Sequence, residues 1–404
     1  MKRELEQGLS LLLVLLLSTL TAAQSTDPGA RSRAAAAMKR AEGYAASGRP
    51  MDAVDELRNA ATLAPRLPSV WYALGQAYNG IKQDALATFS GESEDASWRQ
   101  LLSADALMAK GHWIDAFTLY RASLERLPSM ISIHDSIARI YELTGHAAWA
   151  ARERTLVRPS PADCGVRPAL CAFRTGSYRS ALAAALAESD SEARYWRARA
   201  ANELALAAFK RLDALPDSVE RRAVRATVAE SEERYTDAVA ELKGALKFAP
   251  GEPALIYQLA LAYYSARDYE LAITTSSGLL QAHPDDVRLL RLKGLALLQL
   301  RRPEDAVPIL QRAIERDPSD RDARLALGRA YVQVRDFAAA VPLIEPELAA
   351  DADGSLHVQL ARAYSGLGQK DKAAELLAQS DELQRAARDR ATRAAARTIT
   401  PPQR

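Results

Sequence analysis

The sequence predicts an all-α solenoid of paired antiparallel helices, and three regularities carry that prediction. Prolines recur at Pro250, Pro284 and Pro318, 34 residues apart. After each comes a small residue held between larger ones: Leu259-Ala260-x-x-Tyr263, Lys293-Gly294-x-x-Leu297 and Leu327-Gly328-x-x-Tyr331. Alanines stand twelve positions before each proline, at Ala238, Ala272 and Ala306. A fixed period of this length marks one supersecondary unit repeated, each unable to bury its apolar face without a neighbour. The regular array covers 219–380.

Composition agrees with helices. Aromatic residues are 6% and charged residues 26% of the 404-residue chain, a mixture that favours helix and gives little support to sheet. The formal net charge is +2, so the average charge gives no case for nucleic acid or an anionic membrane as partner.

The N-terminus reads as a targeting segment over residues 1–23. Lys2 and Arg3 precede a leucine-rich run, Leu9 to Leu20, and Thr21-Ala22-Ala23 supplies small residues for cleavage. The run has 12 residues, short of the roughly 20 that span a bilayer. A cleaved secretory signal is expected, with an uncleaved anchor as the alternative. The remaining chain is then exported, periplasmic or secreted, with no integral membrane segment. Residues 24–33, with Pro28 and Gly29, are expected to be a disordered linker.

The N-terminal array is expected over 34–160. Counting back from Pro65, residues Ala41, Tyr44, Gly48, Ala53, Leu57 and Ala60 fall in the repeat phase. The second unit opens with Trp71-x-x-Leu74-Gly75-x-x-Tyr78. On this motif the chain resembles the tetratricopeptide repeat (TPR) family, of the exported bacterial type. The resemblance implies a right-handed superhelical solenoid in which a small eighth residue of helix A and an alanine at position twenty of helix B let the two helices approach. The second unit then departs from the pattern. Phe89 sits two places from the expected position and Gly91-Glu92-Ser93 breaks the chain, so residues 84–89 are expected to form a short, irregular second helix.

Regular units resume with Ala104, Leu107, Gly111, Ala116 and Tyr120, then Ile137, Ala138, Tyr141, Gly145 and Ala150. The phase is lost over 158–167, and residues 161–218 are expected to hold degenerate helical units. Cys164 and Cys171, an even and close pair in an exported chain, read as a disulfide; metal and redox readings lack a C-x-x-C or a nearby His. A helix beginning at Tyr195-Trp196 runs through Asn202 and Phe209, and its Ala205-Leu206-Ala207-x-Phe209 echoes Ala85-Leu86-Ala87-x-Phe89. In the last unit, Asp351-Ala352-Asp353-Gly354 replaces the proline. Residues 381–404 are expected to be a capping helix followed by a tail frayed from Thr398.

No catalytic constellation is present. The sequence has no G-x-S-x-G elbow, phosphate loop or H-E-x-x-H, and no cofactor or metal is expected. Of His112, His134, His146, His283 and His357, the first, third and fourth fall in turns. Asp285-Asp286 and Asp317-x-x-Asp320-x-Asp322 lack a calcium-loop frame and sit where Asp caps the next helix.

The resemblance implies an inner groove lined by positions two, five, nine, twelve and thirteen of each helix A. From Pro253 onward these are Tyr257, Leu261, Tyr264, Arg288, Arg291, Leu295, Gln299, Leu325, Arg329, Gln333, Val358 and Arg362, among others. Four arginines beside apolar shelves suit an extended peptide with acidic and apolar residues. The competing reading is that these arginines are solvated or paired with carboxylates of adjacent units. Among the tryptophans, Trp71 and Trp113 read as core, and Trp98 as a candidate anchor on the groove. The expected function is a non-catalytic protein-binding scaffold or assembly factor in the cell envelope. The alternatives are an accessory or regulatory subunit of an envelope enzyme complex, or an anionic-glycan binder.

Overall fold

The computed structural model describes residues 28–89, 93–127, 130–156 and 161–402, and its regular elements there are all helices. The expected signal (1–23), linker residues 24–27 and the expected breaks at Gly91-Glu92 and 158–160 lie outside the described residues. The chain divides into two compact units. Unit 1 runs up to residue 221 and includes the tail 396–402; unit 2 is residues 222–395. The segments 34–160 and 161–218, expected to be separate, therefore belong to one unit.

Unit 1 begins with α1 (Pro28–Ala46) and α2 (Pro50–Leu63). Residues 28–33, expected to be linker, are the first turns of α1. The alanine-rich stretch after Pro28 propagates a helix well, and Ala30, Ala34, Ala37, Met38 and Ala41 give it an apolar face that is buried.

Next comes α3 (Pro68–Ala87), a single helix of 20 residues carrying the Trp71–Tyr78 motif. The expected short helix at 84–89 does not exist, because its residues up to Ala87 complete α3. The partner of α3 is a distant element, α11 (Ser191–Asp213). The two run antiparallel: Lys82 Nζ reaches Asn202 Oδ1 at 3.5 Å, and Arg194 Nη1 donates to the Thr88 carbonyl at 3.2 Å. A Cβ at Gly75 would lie 2.3 Å from the Phe209 ring. The same pair of positions meets in intact repeats, where a Cβ at Gly294 would lie 2.5 Å from Leu310 and one at Gly328 would lie 2.7 Å from Ile344. In those repeats the large residue follows 16 positions after the glycine. Sixteen positions after Gly75 stands Gly91, which has no side chain to fill the gap. Phe209 fills it instead. The second motif is thus split: α3 is its first helix, α11 its second, and residues 93–186 are inserted between them.

The insert holds α4 (Ser93–Ala109) with α5 (Trp113–Leu124), and α6 (Ile131–Leu143) with α7 (Ala147–Leu156). It ends with α8 (Pro161–Val166) and α9 (Pro168–Arg174) packed on α10 (Tyr178–Leu186). The Cys164–Cys171 disulfide joins α8 to α9. Trp98 is not an exposed anchor. It is 5% exposed and its ring lies 5.3 Å from that of Tyr195, because α4 turns this face onto α11.

The tail does not fray from Thr398. Tyr141 Oη donates to the Thr400 carbonyl at 2.6 Å, and Ile399 packs against the apolar cluster that contains Phe117 and Tyr141. An apolar residue and an ordered hydrogen bond give this stretch a reason to stay on the surface of unit 1.

Unit 2 is built from five helix pairs: α12 (Val219–Ser231), whose first three residues belong to unit 1, with α13 (Tyr235–Phe248), α14 (Pro253–Ser265) with α15 (Tyr269–Ala282), α16 (Val287–Gln299) with α17 (Pro303–Arg316), α18 (Arg321–Val334) with α19 (Phe337–Ile344), and α20 (Ser355–Gly366) with α21 (Lys370–Ala395). Ala238, Ala272, Ala306 and Ala340, one per repeat, are fully buried, which lets helix B lie close to helix A. Asp286 and Asp320 cap α16 and α18 by accepting Arg288 N–H (3.0 Å) and Ala323 N–H (3.0 Å).

The turn inside each intact pair uses one left-handed residue. Unit 1 places Gly48, Gly111, Gly145 and Gly176 there; unit 2 places Glu233, Arg267, Arg301, Arg335 and Gly368. The next amide reaches back five residues, as from Arg302 N–H to the Leu297 carbonyl at 3.0 Å, and closes the end of helix A. Glycine adopts this conformation freely, whereas a residue with a Cβ pays roughly 1–2 kcal/mol.

Candidate functional site

The residues expected on the A-helix face of unit 2 separate into two sets. The first set is internal. Tyr257, Leu261 and Leu325 are buried. Arg288 lies over the Tyr257 ring at 4.8 Å and binds the Asp286 carboxylate at 2.9 Å. Burial works against the charged form of Asp286, but Arg288 and two backbone amides outweigh it and hold the carboxyl below its ordinary range. Arg291 is bound to Asp320 at 2.6 Å, with the two side chains only 9% and 7% exposed. Asp320 is also the cap of the next helix A, so this pair ties consecutive repeats. Arg288 and Arg291 thus follow the competing reading, in which arginines pair with carboxylates at the repeat junctions.

The second set faces solvent. Gln299, Arg329, Gln333 and Arg362 are exposed, and Tyr264, Leu295 and Val358 are half-buried. The Tyr264 hydroxyl lies beside Gln299, and Arg329 is near enough to act on it by charge. Tyr264, Gln299 and Arg329 therefore converge from α14, α16 and α18. No carboxylate is in ion-pair range of Arg329 or Arg362 among the described residues. The surface can offer two guanidinium groups, two amides and a tyrosine edge to a carboxylate-bearing chain.

The acidic motifs are otherwise engaged. Asp285 binds Arg312 (2.8 Å) and Arg316 (3.0 Å), and Asp317 accepts from Ser319 N–H and Oγ. Among the described residues no group of three or more His, Cys, Asp or Glu is arranged to hold a metal. No described helix is long and apolar enough to cross a membrane.

Sequence reasoning missed the buried polar pairs. His134 Nδ1 meets Glu153 Oε1 at 2.7 Å, and His357 Nδ1 meets Asp351 Oδ2 at 2.7 Å. Asp351 also accepts the Leu356 and His357 amides, so it caps α20 where a proline would otherwise mark the junction. In unit 1, Asp105 accepts from Tyr120 (2.6 Å) and Tyr195 (3.0 Å), and Arg199 Nη1 donates to Tyr195 Oη at 3.0 Å. Burial, then the Asp105 charge, pushes the Tyr120 hydroxyl well above its usual range. That network joins α4, α5 and α11, and its partners are satisfied by one another.

Three family models described as tetratricopeptide repeat match residues 257–321, 297–356 and 354–386. Among curated proteins none matches. Solved structures similar to parts of the chain include MamA from Desulfovibrio magneticus RS-1, at 21% identity over 42% of this chain and 96% of that one, TM-score 0.38. MamA of MSR-1 is similar at 20% over 42% and 98%, TM-score 0.37. YrrB, described as a TPR protein with an unusual peptide-binding site, is similar at 22% over 39% and 82%, TM-score 0.35. Scores this low carry no argument about function. The family matches, the 34-residue phase and the recurring contact between the small residue of helix A and the large residue of helix B agree: residues 257–386 hold tetratricopeptide repeats, and the described residues form an all-α solenoid of paired antiparallel helices.

Proposed function

We propose that this chain is a non-catalytic protein-binding scaffold or assembly factor of the cell envelope, and that unit 2 holds an extended acidic and apolar segment of its partner across its A helices. The observation that carries this reading is the pair Arg329 and Arg362. They occupy the same register of consecutive A helices, both exposed, while Arg288 and Arg291 are engaged by Asp286 and Asp320. An unengaged guanidinium is available to a carboxylate with two parallel hydrogen bonds. Tyr264 and Gln299 extend the same surface. Export is supported by the leucine-rich N-terminal run and by the disulfide, a bond that persists in oxidising compartments.

The test is capture from envelope extract by the parent and by an Arg329→Glu/Arg362→Glu variant. The expected result is a protein held by the parent and lost from the variant, displaced by acidic peptide and not by a uronic acid polymer. Equal capture by both would remove the A-helix face of unit 2 as the binding surface. Displacement by the polymer alone would assign the arginines to glycan.

A further inference from the structure

The tail of the chain is bound on unit 1 as a peptide ligand would be. Residues 397–402 have no regular structure, yet four contacts hold them in six residues. Arg397 Nη1 meets Asp115 Oδ1 of α5 at 3.3 Å. Ile399 is half-buried against the cluster of Phe117 and Tyr141. The Thr400 carbonyl accepts from Tyr141 Oη of α6 at 2.6 Å, and Pro402 is buried. One contact is to backbone, and the others go to alternate side chains or the proline. That is how a groove reads an extended segment.

The receiving surface is rigid. The Tyr141 ring is braced by Phe117 at 5.7 Å and by Trp149 of α7 at 5.6 Å, and Trp149 stacks on His146 at 4.2 Å. Burial, then the Glu153 charge, pushes the Tyr141 hydroxyl up to about 12, so it remains a donor throughout the working pH range. The hold on the tail is also light. Its ion pair is exposed on both sides, 38% and 43%, and exposed pairs contribute little.

We infer that the surface of α5, α6 and α7 is a second peptide-binding site, shut in cis by the chain's own tail. Its partner is an extended protein segment with a basic residue, a β-branched apolar residue two positions later, and proline beyond it. This site is independent of the arginine face of unit 2 and prefers the opposite charge.

The test uses the full chain and a labelled synthetic peptide with the sequence of residues 396–402, followed by fluorescence anisotropy. Ile399→Asp should release the tail without touching the receiving helices. A tethered tail acts at an effective concentration on the order of 1 mM. If the free peptide binds with a Kd on the order of 0.1 mM, the parent should then bind it about tenfold more weakly than Ile399→Asp. Adding Tyr141→Phe to Ile399→Asp should weaken the peptide by about 3- to 10-fold, the range for one lost hydrogen bond. A variant with residues 396–402 replaced by glycine and serine should behave as Ile399→Asp does. Equal affinity in parent and released variants overturns the inference, as does no binding to either released variant at 2 mM peptide, a level about twentyfold above the expected Kd.

Discussion

Arg291 and Arg362 both stand on A helices of unit 2 and both were expected on one groove, yet the structure gives them opposite consequences. Arg291→Ala removes one partner of a pair whose side chains are 9% and 7% exposed, leaving the Asp320 carboxylate buried. Breaking a buried pair in this way costs about 3–5 kcal/mol. Asp320 still accepts the Ala323 amide and faces the positive end of α18, so the low end, about 3 kcal/mol, is expected. For a body the size of unit 2 that lowers the melting midpoint by roughly 6–12 °C. Arg362→Ala removes an exposed side chain with no ion pair and should stay within about 0.5 kcal/mol. Arg291→Met with Asp320→Asn should recover most of the loss, since Asn still caps and the buried charges are gone. The assay is thermal unfolding followed by far-ultraviolet ellipticity. A midpoint for Arg291→Ala within 2 °C of that for Arg362→Ala, an energy difference of less than about 1 kcal/mol, would refute the reasoning. The contrast also sets which charge reversals are informative in a capture experiment: one that includes Arg291 destabilises unit 2 as well as altering its surface.

Two further predictions follow from local structure. Burial pushes the Glu230 carboxyl up to about 7. The folded chain then keeps a proton that the unfolded chain loses near pH 4.5, so this group lowers stability as pH rises from about 4.5 through 7. Glu230→Gln should raise the melting midpoint at pH 8 by up to about 3 kcal/mol equivalent and leave it unchanged at pH 4; an equal rise at both pH values contradicts the assignment. Arg301 sits at φ 58° where Gly111 takes the same turn position at φ 78°. Arg301→Gly should therefore stabilise unit 2 by up to about 1 kcal/mol, and Gly111→Arg should destabilise unit 1. A urea midpoint that falls for Arg301→Gly would show that the side chain does more than occupy a turn.

How much was legible in the sequence depended on the range of the interaction. The repeat phase is local, so the buried alanines from Ala238 to Ala340 could be counted from the prolines. The Cys164–Cys171 pair closes a short loop and was equally accessible. Asp286 and Asp320 could be recognised as caps because capping is decided within three residues. The arginine partner of Asp320 could not, since Arg291 lies 29 residues away in sequence, across a repeat junction. The split motif was hidden for the same reason. The pattern asks for a large residue 16 positions after Gly75, finds Gly91, and has no means of pointing to Phe209. The echo between Ala85–Phe89 and Ala205–Phe209 was the only trace. Trp98 misled because one-dimensional phase assigned it to a groove that α11 covers. The tail misled because low complexity and many exposed residues look like fraying until Tyr141 is placed beside Thr400.

The surface that receives the tail belongs to the insert, so the account depends on α3 and α11 being the two halves of one motif. A double-mutant cycle at Gly75 and Phe209 tests this most directly. Gly75→Ala sets a methyl 2.3 Å from the Phe209 ring and should destabilise by about 1–3 kcal/mol. Phe209→Ala should cost stability by itself yet make room for that methyl. The two changes together should cost less than their sum by at least about 1 kcal/mol, although the residues are far apart in sequence. Additivity within about 0.5 kcal/mol would mean that the two helices do not meet there, and would contradict the split repeat.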